Sequence, residues 1–275
     1  MISGSSSLLA RSAPALRANE VHVWRAALDL DAADLECFEK TLAPEETARA
    51  AGFYFPKDRK RFVARRGLLR QILGRYLGRE PGKLRFGCGP GGKPFLLGNF
   101  RARELHFNLA HSHGLALYAI ARHREVGVDV ERIEPRLADQ QVAERFFSPR
   151  ESSALRTQPV SLRVEAFFNC WTRKEAYLKA RGEGLLAPLD GFDVSLIPGQ
   201  PAALLSGSDG RWSLYALTPA PGYAAAVSVE GCSCDLRLVS LRVRPKGHGP
   251  SPFRQPTDTL SQGEGFNLEF QTAIL

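Results

Sequence analysis

At 275 residues the chain can bury a substantial core, as one large domain or two smaller ones, and 44% hydrophobic with 24% charged residues is an ordinary globular balance. No apolar run reaches membrane-spanning length, and five scattered cysteines, odd in number, point to reduced thiols in a cytoplasmic protein and away from a disulfide framework. The formal charge of +8 suggests an anionic partner, and ten Lys or Arg against four Asp or Glu between Glu45 and Glu80 concentrate it in one patch, which suits a polyphosphate at least as well as a long nucleic acid.

Residues 1–19 read as a loose leader that lacks the apolar core of a signal peptide. Residues 20–28 (EVHVWRAAL) alternate as a strand does, and helices are predicted over 31–41 and 44–54, the second begun by Pro44 in a first-turn position. A longer helix is predicted over 57–77, with Phe62, Leu69, Ile72, Leu73 and Tyr76 facing inward. Arg59, Lys60, Arg61, Arg65, Arg66 and Arg70 fall on its outer and flanking positions, read mostly as a solvated face. Residues 84–97 (LRFGCGPGGKPFLL) match two phosphate-loop patterns, but Pro94 follows the lysine and no helix opens there, so what survives is a tight glycine turn presenting Lys93. Strands over 104–110 and 115–121 are joined by His111-Ser112-His113-Gly114, a histidine pair with no third ligand at suitable spacing and therefore read as a turn.

In residues 125–133 (EVGVDVERI) three valines alternate with Gly127, Asp129 and Glu131, so one face of a strand carries both carboxylates. That face is either a solvent-facing edge or half of a site for a hard divalent cation such as magnesium. A helix follows over 137–147, then Ser148-Pro149-Arg150-Glu151 reads as a capping box. The stretch 164–182 (VEAFFNCWTRKEAYLKARG) places Val164, Phe167, Phe168, Trp171 and Leu178 on one helical face and Glu175 on the same face. A carboxylate on an apolar stripe needs a cation or donors; Lys179, four residues on, can reach that surface, and Gly182 supplies the C-terminal stop. Strands are predicted over 191–197, 211–217, 222–229 and 237–243, and from Arg244 the chain is polar and proline-rich, as a mobile tail would be. The expected organisation is a leader (1–19), an N-terminal half (20–124), a C-terminal half with the metal site (125–244) and a tail (245–275).

Three acids with a lysine also describe a magnesium-dependent nuclease, and the net charge leaves a nucleic-acid or coenzyme A binder open. The nucleic-acid reading asks for aromatics among the cations, and between Lys57 and Arg70 there is only Phe62. The motifs GVDVE (127–131), RFFS (145–148) with Glu151, and WTRKEAYLK (171–179), together with GKP (92–94) and FNLAHS (107–112), resemble the signature of 4'-phosphopantetheinyl transferases of the Sfp-like class in order and spacing. The resemblance runs from about Val21 to Val229 and implies an α+β fold, a pseudo-twofold duplication of two similar α/β halves with coenzyme A at their junction. It implies transfer of phosphopantetheine from coenzyme A to a serine of an acyl or peptidyl carrier protein, with release of adenosine 3',5'-bisphosphate. The implied partners are that carrier and coenzyme A, with no nucleic acid or membrane, and the implied state is a monomer.

By the same resemblance Asp129, Glu131 and Glu175 hold magnesium, Glu175 and Lys179 are catalytic, and Arg49, Arg61, Gly92, Lys93, Pro94, Asn108, His111 and Ser112 line the coenzyme A site. Two residues depart from the pattern: Ala110 where a serine is common, and Glu46 near a position that is often basic.

Overall fold

The computed structural model describes residues 15–184 and 188–241. In chain order the elements are β1 (Glu20–Ala27), α1 (Ala32–Glu39), α2 (Pro44–Ala51), α3 (Pro56–Leu77), β2 (Arg85–Cys88), β3 (Pro94–Leu97), α4 (Phe100–Arg103), β4 (Leu105–Ser112), β5 (Leu115–Arg122) and β6 (Val126–Arg132). Then come α5 (Gln140–Phe146), α6 (Pro149–Thr157), α7 (Val160–Arg181), β7 (Asp193–Val194), β8 (Leu204–Ser206), β9 (Trp212–Leu217), β10 (Tyr223–Glu230) and β11 (Asp235–Leu241).

Each half sets a 22-residue helix against a sheet, α3 on the first and α7 on the second. The first sheet has the order β11-β1-β5-β4 and the second β6-β10-β9. Strand alternation explains how one sheet serves two cores. On β1, Trp24 and Ala26 meet Phe62, Leu69 and Ile72 of α3, while Val21 and Val23 turn the other way. The latter join Leu117 and Ala119 of β5, the three valines of β6 and Val227 and Val229 of β10 in a core common to both sheets. A third core sets Phe167, Phe168 and Tyr177 of α7 against Leu214, Ala224 and Ala226. The result is the α+β architecture of two similar halves expected from the sequence.

The last strand returns to the first half: β11 lies parallel to β1, with Glu20 opposite Asp235. Both long helices end on a left-handed glycine, Gly182 as predicted and Gly78 likewise. The capping box at α6 forms, Ser148 and Glu151 exchanging side-chain to backbone bonds at 2.9 and 3.1 Å. Other expectations need correction. The strand predicted over 191–197 contracts to two residues of β7, paired with the unpredicted β8, and the helix over 137–147 begins with a 3-10 turn at Pro135–Leu137 before α5. The proposed tail from 245 and most of the leader lie outside the described residues. Among the described residues no helix is long and apolar enough to cross a membrane.

Candidate active site

Gly127 decides how close α7 can come to β6. A Cβ on it would stand 2.2 Å from the Ala176 carbonyl oxygen and 2.2 Å from the Ala180 nitrogen, so only a bare α-carbon lets the helix backbone lie on the strand. That contact carries the next residue outward on the strand, Asp129, under the helix. Asp129 is fully buried, and Lys179 Nζ donates to its Oδ1 at 2.5 Å. Its Oδ2 has no hydrogen-bond partner among the described residues. Burial, with Glu175 and Glu131 adding negative charge nearby, raises the Asp129 carboxyl well above the usual carboxylate range, against the pull of Lys179. The solvent-facing edge is thereby excluded for Asp129.

Glu131, one step along the strand, is raised too, chiefly by burial. Ser112 at the end of β4 donates to its Oε2 at 2.9 Å and accepts from the Arg132 amide at 3.2 Å. Asn108 Oδ1 accepts from the Val128 amide at 2.9 Å. These two β4 side chains therefore tie the halves together along the strand that bears the acids. Glu175 is half-buried and carries neither a hydrogen bond nor a salt bridge among the described residues. The expected Glu175 to Lys179 pairing is corrected: Lys179 reaches across to Asp129, because that buried carboxylate offers a stronger field than a partly solvated one. The amphipathic stripe also needs revision, since from Ala166 onward α7 is buried on nearly every side by β6, β10 and the loops around β7.

On the first half, His111 follows Ala110 on β4 and is held neutral. Burial, with the charges of Arg65, Lys179 and Arg61 beside it, brings its pKa down to about 3. Arg61 is fixed by two bonds of 2.7 Å to Asp29. Arg49 is exposed at the end of α2, its guanidinium 5.7 Å from the Phe62 ring centroid.

Arg65 is the residue that sequence reasoning missed. It was grouped with the solvated face, yet it is only 7% exposed, its guanidinium forms no ion pair among the described residues, and its Nε has no partner. Burial, with Arg66 and Arg49 nearby, lowers its pKa to about 10. The signal was present: Arg65 falls three residues after Phe62 and four before Leu69, on the inward stripe of α3, where Glu175 was noticed on α7 for the same reason. Arg70 was likewise misplaced. It is buried and bonds Glu46 Oε2 at 2.7 Å and the Pro81 and Leu84 carbonyls at 3.0 Å, while Arg66 also pairs with Glu46. Glu46 thus stands where it does to pin α2 onto α3.

The glycine turn is built as expected, with the Gly89 amide donating to the Lys93 carbonyl at 2.9 Å and Gly92 left-handed at φ 81° before Pro94 opens β3. Lys93, however, is turned inward. Its ammonium donates to Glu125 at 2.5 Å and to the Ala180 carbonyl at the end of α7 at 2.8 Å, and His106 takes the other Glu125 oxygen at 2.9 Å. Gly91 packs so closely on the Gly182 carbonyl that a Cβ would approach it to 2.2 Å. The turn is a clasp between the halves.

Taken together, β6 and α7 bring Asp129, Glu131, Glu175 and Lys179 into one neighbourhood, and the charge of Lys179 bears on His111 together with those of Arg61 and Arg65 from the first half. No three acidic, histidine or cysteine side chains converge as a ready-made metal cage among the described residues.

Comparison with known proteins bears on this arrangement. The family model described as the 4'-phosphopantetheinyl transferase superfamily matches residues 125–228, and that of the 4'-phosphopantetheinyl transferase N-terminal region matches residues 29–123. The chain is 45% identical over 216 residues to 4'-phosphopantetheinyl transferase HetI of Nostoc, covering 78% of this chain and 90% of that protein. It is 30% identical over 193 residues to 4'-phosphopantetheinyl transferase Sfp of Bacillus subtilis, covering 70% and 84% respectively. With 4'-phosphopantetheinyl transferase psf-1 of Bacillus pumilus it shares 31% identity over 207 residues, covering 72% and 86%.

Proposed function

The chain belongs to the 4'-phosphopantetheinyl transferase superfamily and is an enzyme of that activity, and from this premise we propose that coenzyme A is the donor and a serine of an acyl or peptidyl carrier domain the acceptor. The reaction breaks the bond from the transferred phosphorus to the pyrophosphate bridge and forms one to the serine oxygen, releasing adenosine 3',5'-bisphosphate. Family membership does not favour the nuclease or the non-catalytic alternatives.

The observation that carries the reading is the uncompensated polarity of the cluster: among the described residues a fully buried Asp129 oxygen has no donor, and Glu175 next to it is unpaired. Carboxylate oxygens left open in this way suit a hard divalent ion, and magnesium, which keeps several waters and takes phosphate oxygens, does not require a closed protein cage. Asp129, Glu131 and Glu175 are the residues that would hold it. A divalent ion there supplies Lewis-acid stabilisation of charge on the pyrophosphate.

The remaining roles belong to the chain itself. Asp129 holds Lys179 in place, and Lys179 stabilises the leaving bisphosphate. Glu175, free of a partner, accepts the serine proton. Arg65, with Arg61, Arg49 and neutral His111 around it, takes the 3'-phosphate, since a buried cation lacking a counter-ion is costly until an anion arrives. Lys93 acts by clasping the halves, so that the backbone from Gly92 to Pro94 flanks the adenosine. We further infer a monomeric, cytoplasmic chain, supported by five free thiols and by two halves that face each other within one polypeptide.

Intact-mass analysis of an apo carrier protein incubated with the chain and coenzyme A tests the reading. The expected result is a gain of one phosphopantetheine, abolished by a chelator and restored by magnesium. Undiminished transfer by a folded Glu175→Gln variant would remove Glu175 from the proton step.

A further inference from the structure

The hairpin turn from β4 to β5 is strained at an unexpected residue. Only His113 and Gly114 separate Ser112 from Leu115, and it is His113, not Gly114, that takes the left-handed conformation, at φ 55°. Glycine is the residue that adopts this region freely. Gly114 has a different task, since a Cβ on it would stand 2.7 Å from Asp29 Oδ2 and 3.1 Å from Arg61 Nη2. The strained position therefore falls to a histidine, and the ring is what holds it there.

His113 Nε2 lies 2.7 Å from Glu134 Oε1, and Arg136 donates to the other Glu134 oxygen at 2.7 Å. On the far side of the ring Nδ1 lies 3.1 Å from Ser112 Oγ. That hydroxyl has one hydrogen and two lone pairs. Its hydrogen goes to Glu131 Oε2 at 2.9 Å and one lone pair takes the Arg132 amide at 3.2 Å, so the role left for Nδ1 is that of a donor. Nε2 faces a carboxylate and donates as well. Ser, His and Glu in this order are the parts of a hydrolytic triad, but a hydroxyl whose hydrogen and lone pairs are all engaged is no nucleophile. The chain of bonds leads to Glu131 instead. A ring with a bare Nδ1 would compete with Glu131 for the Ser112 hydrogen, whereas a donating Nδ1 leaves that hydrogen a single acceptor.

We propose that His113 is a positioning residue for the acid cluster: donating to Glu134 and to Ser112, it aims the Ser112 hydroxyl at Glu131 and fixes one oxygen of that carboxylate, leaving the other for a divalent ion. The inference rests on the reading of Glu131 as a magnesium ligand. Groups that orient a ligating side chain set its affinity for the metal without touching the metal. Backbone strain persists beside such a site because the surrounding bonds over-determine it.

The test is manganese binding by the full chain with coenzyme A present and no carrier, read from the electron paramagnetic resonance signal of the free ion. His113→Gly removes the ring and relieves the turn, and it should weaken manganese about tenfold with the thermal midpoint held. His113→Asn should stay within about twofold of native, because its amide donates from the place of Nδ1 and asparagine tolerates the left-handed region. His123→Gly is the control. That histidine has the same conformation, φ 57°, in the turn from β5 to β6, but its ring nears Glu104 at 3.9 Å, and manganese should bind as in the native chain. In the nitrogen-15 spectrum of the native chain at neutral pH both ring nitrogens of His113 should carry hydrogen.

Native manganese affinity in His113→Gly overturns the proposal. So does a bare Nδ1 in the spectrum, or a loss in His113→Asn equal to that in His113→Gly, which would make the ring a packing element. In transfer assays His113→Gly should need about tenfold more magnesium for half-maximal rate, with kcat at saturating magnesium close to native, and a loss confined to kcat sinks the role too. Glu131→Gln separates this from the reading it rests on. Manganese weakened in Glu131→Gln and kept in His113→Gly leaves Glu131 a ligand and sinks the role of His113, whereas manganese kept in Glu131→Gln removes both.

Discussion

Helix α7 holds two lysine–carboxylate pairs one and a half turns apart, and they differ in completeness. Lys174 and Glu151 are 0% and 2% exposed and 2.8 Å apart, and every neighbour is spoken for. Lys174 also donates to the Leu189 and Phe192 carbonyls, while Glu151 accepts from the Ser148 and Val194 amides. Lys179 and Asp129 are just as close, but among the described residues one Asp129 oxygen is orphaned and Glu175 beside it is unpaired. A saturated buried pair belongs to the architecture, because nothing in it can be improved by a ligand. An unsaturated one retains a desolvation cost that a ligand can relieve, and that marks a site.

The contrast is broken most severely on the saturated side. Lys174→Met strands Glu151 as an uncompensated buried charge and should lower stability in urea by about 3–5 kcal/mol, while transfer per folded molecule changes little. An unmoved unfolding midpoint would mean that the pair is not what holds α6 and β7 on the helix. On the open side the pattern inverts. Asp129→Asn should cut transfer by on the order of 10²–10³-fold with the midpoint held or raised, since it removes the least satisfied acid of the core. Collapse of the fold, instead of loss of turnover, would assign Asp129 to structure.

Arg65 extends the comparison to the first half, where it too is buried, with no ion-pair partner among the described residues. Arg65→Gln should weaken coenzyme A by about tenfold, leave 3'-dephospho-coenzyme A nearly unaffected and raise the midpoint. Equal losses for the two nucleotides would place Arg65 away from the 3'-phosphate.

The smallest effect is a titration. His111 is depressed from 6.5 to about 3 by burial and by Arg65, Lys179 and Arg61. Its folded pKa lies below the unfolded one, so the stability tied to neutral His111 is complete above about pH 6.5 and is lost as pH falls toward 3. In NMR the free protein should keep a neutral His111 ring at pH 5, and adenosine 3',5'-bisphosphate should move its pKa upward by compensating the three cations. A ring that titrates normally in the free protein would show that those cations do not converge on it.

Much of this was legible beforehand because it is local. The alternation of Val126, Val128 and Val130, the capping box from Ser148 to Glu151, and the glycine stop at Gly182 depend on residues within one turn or one strand of each other, and each forms. The buried carboxylate on an apolar helix was visible as a misfit, and the same test applied to α3 would have found Arg65. Partners were not legible. Lys179 to Glu175 is the near pair along the helix and Lys179 to Asp129 is 50 residues apart, and only the closeness allowed by Gly127 makes the distant pair the real one. From the residues alone Lys93 was read only as presented by a glycine turn, and its bond to the Ala180 carbonyl, 87 residues on, is set by the tertiary structure.

The sequence alone determined most of the inventory: the long helices, the main strands, and that three acids, a lysine and a basic patch must be accommodated. The tertiary structure decided which of those charges are compensated. Compensation depends on distances and burial set by how α7 meets β6 and how β4 meets it from the other half, and neither quantity is written in the spacing of residues along one element.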